Sequence, residues 1–268
     1  MENDRLSIIG VTYSPSGLNW KLSIPRFTLG EHEFVGVIGP NGSGKSTLLR
    51  IAAGILSPLT GSVTLMGQDV RLLSRKTMAT MVGYLPQNIS GGEEFSTWHI
   101  VSLGRYAHLK GAGFLSMHDR NVIMESMRKT ETLDLFQRPF RQLSGGEKQR
   151  VMLASILAQE PDILLLDEPE NALDLHHRAR FFSFLAELAE KNISIIMASH
   201  DITTAATFCS RMVVLKNGCV ISDGDTHDVL SQEIITEIYG DEVRVTPNPV
   251  TGDPCVYLIR SRFRSEQP

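Results

Sequence analysis

The chain has 268 residues, of which 42% are hydrophobic and 21% charged; that is enough length and apolar content for a buried core, so disordered and fibrous classes are excluded. A formal net charge of -4 supplies no bulk attraction to nucleic acid or to an anionic bilayer, and no nucleic-acid partner is expected.

The first residues, MENDRLSIIG, carry acids where a signal peptide needs a basic stretch, and no long apolar run follows, so the expectation is a chain that is not exported. LSIIGVTYS and WKLSIPRFTL then alternate apolar and polar residues on either side of SPSG, the pattern of an antiparallel hairpin joined by a turn. An antiparallel β layer is expected over about 4–33 together with 60–82. Next comes the apolar run Phe34–Ile38, which suits a strand buried on both faces of a parallel sheet.

That strand delivers GPNGSGKST, that is Gly39, Pro40, Asn41, Gly42, Ser43, Gly44, Lys45, Ser46 and Thr47, and an apolar helix is expected over 46–56. Gly42 and Gly44 let backbone N–H groups approach phosphate oxygens without a Cβ in the way, and the helix N-terminus adds its positive end. Lys45 brings a full charge to the β and γ phosphates of a nucleotide, and Ser46 offers a hydroxyl to Mg²⁺.

From 96 to 160 the pattern is helical, and a helical subdomain is expected over about 88–160. Two copies of SGGE bracket it. Ser144 and Glu147 have capping-box spacing ahead of an apolar helix, so Gly145 and Gly146 present their N–H groups at an anion-binding helix end. The chain has its own phosphate loop, so this second phosphate contact points to the nucleotide of another subunit. The copy at 90–93 precedes Glu94 and a better helix start at Ser96 or Thr97. It is read as a flexible loop.

A second buried strand, ILLLD, ends in Asp167 and Glu168. Asp167 falls where it can hold Mg²⁺ through a water, and Glu168 stands one step nearer the γ phosphate to polarise the attacking water. A third run, ISIIMAS, leads to His200, which either reaches the same phosphate or is a structural histidine at a strand end. His176 and His177 are read as a solvated pair, with a metal site as the alternative. Cys209, Cys219 and Cys255 are too few and too scattered for a zinc motif or a disulfide framework. TPNPVTGDP reads as a loop before a strand CVYLI, and RSRFRSEQP as a solvated tail. The fold class is α/β in one domain, a phosphate-loop core with a mostly parallel sheet.

GPNGSGKST, YLPQ with Gln87, LSGGEKQR, ILLLDEP, NALD and SHD occur in the order of an ATP-binding cassette ATPase, which the chain resembles along nearly its whole length. VSLGRYAH and ITEIYGDEVRV are similar to cassettes of importers for iron–siderophore, haem and cobalamin. The resemblance implies ATP and Mg²⁺ as ligands, with Ser46, Gln87 and Asp167 at the metal and Lys45, Glu168 and His200 catalytic. It also implies a second cassette, as a homodimer, that supplies Ser144, Gly145 and Gly146 to the γ phosphate across an interface loop of Ala172, Leu173 and Asp174. Integral membrane permease subunits would follow as partners, with a substrate-binding protein acting indirectly and the chain lying on the cytoplasmic face of the membrane. Tyr13 falls at the family's adenine-stacking aromatic; a tyrosine packed on the strand face is the alternative. Two departures stand out: an acidic loop NISGGEEFST after Gln87, whose Glu93 and Glu94 are expected to face the membrane partner, and EPENALD, where Glu170 and Asn171 replace Thr and Ser. The second is expected to leave catalysis alone. A soluble cassette of iron–sulfur assembly is the competing reading.

Overall fold

The computed structural model describes residues 4–17, 20–89, 91–92, 94–109 and 113–259. Ser90, Glu93 and the basic tail beyond 259 lie outside the described residues. In chain order the elements are β1 (Leu6–Tyr13), β2 (Leu22–Leu29), β3 (Phe34–Ile38), α1 (Lys45–Ala52), β4 (Thr60–Leu65), β5 (Gln68–Asp69), α2 (Arg75–Met81), β6 (Val82–Leu85), α3 (Thr97–Ser102), α4 (Met117–Lys129) and α5 (Gly145–Leu157). They continue as β7 (Ile163–Asp167), α6 (Leu175–Lys191), β8 (Ser194–Ala198), α7 (Ile202–Phe208), β9 (Arg211–Lys216), β10 (Cys219–Asp225), α8 (Thr226–Val229), α9 (Gln232–Tyr239), β11 (Val243–Pro247) and β12 (Pro254–Leu258).

One sheet runs β5-β4-β1-β2-β10-β9-β3-β8-β7-β6, and β11-β12 form a separate pair. Strands β9, β3, β8, β7 and β6 are parallel to one another, while β5, β4, β1 and β2 pair antiparallel. The antiparallel layer is therefore continuous with the parallel core, joined where Cys219 of β10 pairs in parallel with Ser23 of β2. Every residue of β3, β7 and β8 is buried. Continuous apolar strands covered on both faces are what a central parallel sheet requires, and they hold three strand ends rigidly at one edge of the sheet.

The layer is shorter than the sequence suggests. It stops at Asp69, whose side chain accepts from the Arg71 N–H and caps a single 3-10 turn; Ser74 then caps α2, and β6 joins the parallel core. Short polar side chains that bond the backbone two or three residues on end a strand by offering a competing turn. The helix after the phosphate loop likewise ends at Ala52 rather than near 56, with Gly54 left-handed at φ 66°.

Three apolar clusters divide the interior. One packs α6, α7 and α9 on one face of the sheet, one packs α1 and the antiparallel layer on the other, and the third fills the helical segment with Ile100, Val101, Ile123, Met127, Phe140 and Val151. Within that segment the buried Arg105 ties α4 to the end of α5: it donates to Asp119 at 2.9 Å, to the Ala158 carbonyl at 2.8 Å and to Glu160 at 2.6 Å. Ser116 and the Arg105 guanidinium hold the Asp119 carboxyl down to about 2. Among the described residues no helix is long and apolar enough to cross a membrane.

Candidate nucleotide site

The site begins where β3 ends. Gly39 has φ 147°, and a Cβ there would stand 2.0 Å from the Leu215 carbonyl oxygen of β9, so only glycine lets the chain leave the sheet at this point. The Ser43 N–H donates to the Pro40 carbonyl at 3.1 Å, closing the loop, and the Gly218 N–H anchors it by donating to the Ser43 carbonyl at 3.0 Å. Gly44, φ 110°, caps α1, and a Cβ here would press on Leu22 at 2.7 Å and on the Trp20 ring at 3.1 Å.

Inside the loop the Lys45 ammonium, 5% exposed, donates to the Gly39 carbonyl at 2.8 Å and the Pro40 carbonyl at 3.4 Å. Burial pushes its pKa down, while Glu168, Asp167 and Glu170 pull it back up. Ser46 donates to Asp167 Oδ1 at 2.8 Å and the Tyr84 hydroxyl to Asp167 Oδ2 at 3.2 Å. Burial raises the Asp167 carboxyl and those two hydrogen bonds oppose it.

Glu168 is left-handed at φ 50° and is pinned by its own N–H, which donates to the Ala198 carbonyl at 2.9 Å. Its Oε2 accepts from the Gln87 amide and from Asn171 Nδ2, the latter at 2.8 Å. His200 Nδ1 lies 3.5 Å from that oxygen and 3.4 Å from Glu170 Oε1. These groups open on a cavity of about 750 Å³ lined by Pro15, Trp20, residues 41–47, Gln87, Glu168 and His200. The size is that of a site for a molecule as large as a nucleotide.

The remaining predicted residues fall into three groups. Gly39 and Pro40 support Lys45 from behind rather than lining the cavity. Tyr13 packs against the apolar cluster of the antiparallel layer, and the aromatic wall of the cavity is Trp20. Ser144, Gly145 and Gly146 lie outside the cavity lining. The capping box at Ser144 is present, with the Ser144 N–H donating to Glu147 Oε2 at 2.7 Å, and it holds the Glu147 carboxyl below its ordinary value. Both glycines face Ala172 of the loop after Glu168: Cβ atoms added at Gly145 and Gly146 would stand 3.3 Å from Ala172 Cβ and 3.1 Å from the Ala172 carbonyl oxygen. Asp174 caps α6, accepting from the His177 N–H at 2.9 Å, and the His177 ring bonds the same carboxylate.

Sequence reasoning missed Trp20, Tyr84, Glu170 and Asn171. Tyr84 opens the YLPQ run that contains Gln87, and that adjacency was the available signal. For Trp20 the signal was a large aromatic at the end of the turn before β2. Glu170 and Asn171, expected to stand apart from catalysis, both touch the Glu168–His200 pair.

A glycine loop between a buried strand and a helix, a carboxylate bonded to the loop's hydroxyl and a second acid beside a histidine define a phosphate-loop nucleotide-binding protein. The ABC transporter family model matches residues 22–171, and the chain belongs to that family. It is 35% identical over 259 residues to the cobalamin import ATP-binding protein of Halobacterium salinarum, covering 94% of this chain but 65% of that protein, just under two thirds of its length. It is 37% identical to the hemin import ATP-binding protein of Nocardia farcinica, covering 88% of this chain and 81% of the relative. To the iron(3+)-hydroxamate import ATP-binding protein of Bacillus subtilis it is 36% identical, covering 86% of each. Among solved structures, an inward-facing transporter described as of metal-chelate type superposes with a TM-score of 0.84 at 25% identity, over 97% of this chain and 99% of that one. A dimeric bacterial ABC transporter cassette superposes at 0.73 with 27% identity, over 82% of this chain and 98% of that one.

Proposed function

We propose that this chain is the ATP-hydrolysing subunit of a membrane importer for a chelated metal compound, of the iron–siderophore, haem or cobalamin kind. The observation that carries the reading is the convergence, in one cavity, of the Lys45 loop, the Ser46–Asp167 bond and the Glu168–His200 pair. The substrate class rests on the names of the relatives.

The loop N–H groups, the α1 terminus and Lys45 bind and orient the β and γ phosphates. Ser46 Oγ and the Gln87 side-chain carbonyl, with an Asp167 carboxylate oxygen acting through a water, would form an all-oxygen donor set that suits Mg²⁺; when bound, that ion would neutralise charge on the phosphates. Glu168 Oε2, already an acceptor for two amides, orients the attacking water and takes its proton. His200 presents its ring to the γ-phosphate oxygens. Ser144, Gly145 and Gly146 stand outside this cavity, so we infer that they serve the nucleotide of a second copy, with Ala172, Leu173 and Asp174 at the junction. Movement of the pair is then passed to permease subunits, with the chain lying peripherally on the cytoplasmic face of the membrane.

The test is uptake of a siderophore, haem and cobalamin in cells lacking this chain, with ATPase activity measured on the purified protein. Loss of one uptake activity together with Mg²⁺-dependent hydrolysis is expected. Normal uptake of all three refutes the substrate class, and purification without any membrane partner favours a soluble iron–sulfur assembly role.

A further inference from the structure

Glu170 follows the hydrolytic Glu168 by two residues and is 1% exposed. Its Oε1 accepts from the Ser199 hydroxyl at 2.6 Å and from the His200 backbone N–H at 3.2 Å, and the His200 ring Nδ1 stands 3.4 Å away. Its Oε2 is buried and has no hydrogen-bond partner among the described residues. A buried carboxylate oxygen left without a donor is costly. A passive tether needs no such charge, since a hydroxyl or amide would accept the same two bonds.

The surroundings make the arrangement stiff. Ser199 is fixed to the sheet by its N–H, which donates to the Val37 carbonyl at 3.0 Å, and its hydroxyl accepts from the Asp201 N–H at 3.0 Å. Asp201 in turn caps α7 and takes the Arg178 guanidinium at 2.8 Å. Against this frame the His200 ring is half exposed, with the Glu168 and Glu170 carboxylates within 3.5 Å of the same nitrogen. Two carboxylates on Nδ1 favour a proton on that nitrogen and leave the opposite ring edge, Nε2, as the end offered to substrate.

We propose that Glu170 is a positioning residue for His200: its buried carboxylate fixes the histidine's backbone through the N–H and its ring through Nδ1, so that Nε2 is presented to the γ phosphate. The proposal rests on the reading of His200 as a phosphate contact. Glu170 touches no reacting atom; it acts through the ring.

The experiment is a double-variant cycle in steady-state ATP hydrolysis by the full chain. Glu170→Ala is expected to lower kcat by about tenfold with the KM for ATP within about twofold of wild type, because only an interaction tightened in the transition state is lost. Glu170→Gln, which still accepts from Ser199 and from the His200 N–H, is expected to recover part of that loss. In a His200→Ala background, Glu170→Ala is expected to cost nothing further. A kcat unchanged in Glu170→Ala, or losses that multiply in the double variant, would overturn the proposal. Unchanged kcat in His200→Ala alone instead sinks the phosphate-contact reading on its own. Should Glu170→Ala fail to fold, Glu170→Gln alone and in the His200→Ala background gives the same comparison.

Discussion

Replacing Glu168 by Gln separates charge from shape in the hydrolytic position. The backbone conformation at φ 50° asks the same of Glu and Gln, and the N–H bond to the Ala198 carbonyl is untouched. Gln87 and Asn171 both donate to one oxygen, Oε2, so a Gln whose carbonyl oxygen takes that place still accepts from both amides. Folding therefore survives. What disappears, on the function proposed above, is the group that takes a proton from water, and general-base catalysis contributes roughly 10²-fold to 10⁴-fold. A hundredfold loss corresponds to about 2.7 kcal/mol of barrier. Nucleotide affinity is expected to hold, because removing a negative charge beside the phosphates relieves repulsion. Phosphate release at saturating ATP, set beside a nucleotide titration and a thermal melt of the same preparation, reads all three quantities. A variant that binds nucleotide and hydrolyses within about threefold of wild type would refute the assignment of Glu168 as the base.

Lys45→Ala removes a buried ammonium from the phosphate loop, so nucleotide affinity itself is expected to fall by roughly tenfold or more; an unchanged titration contradicts the loop's role. Gly145→Asp puts a carboxylate on the exposed end of α5 and a Cβ 3.3 Å from Ala172. Hydrolysis is expected to vanish while the chain still binds ATP, whereas Gly91→Asp, whose Cβ meets nothing within 4 Å although φ 86° strains the backbone locally, is expected to keep hydrolysis near wild type. Equal loss in both shows that the two SGGE copies were told apart wrongly. Trp20→Ala is expected to weaken nucleotide binding more than Tyr13→Ala, since the Trp20 ring lines the cavity; the reverse order in the same titration returns the stacking role to Tyr13.

The parts of this molecule that sequence made legible are those written in neighbouring residues. The phosphate loop, the buried strand into Asp167 and the capping box at Ser144 each depend on backbone conformation and on partners three or four positions away, so their spacing carries the chemistry. Glu170 shows where that ends. Its partners, Ser199 and His200, are 29 and 30 residues along the chain, and no periodicity announces a contact made across two strand ends. Trp20 is similar. It becomes a cavity wall because β2 delivers it against Gly44 of a different element. The join between β2 and β10 was hidden for the same reason: pairing of Ser23 with Cys219 is a tertiary choice.

The same long-range contacts bear on how hydrolysis is turned into movement. The Gln149 side chain of α5 donates to the Pro169 carbonyl, one residue beyond Glu168, and Gly146 sits against the Ala172 carbonyl of the same loop. Glu170, between them, is tied to Ser199 and His200. A displacement of the loop after Glu168 therefore meets α5 at two points, and α5 packs into the helical cluster through Val151 and Ala154. On the other side Gln87, which bonds Glu168, heads the loop that leads to Ser96 and α3. One end of the helical segment is thus held, through α5, by the loop that follows Glu168, and the other follows in sequence from Gln87, which bonds Glu168. Close-packed side chains have discrete arrangements rather than a continuum, so a change in the charge or occupancy at Glu168 has a packed route into that segment through α5. That geometry favours reading the helical segment as the element that moves when the γ phosphate is cleaved.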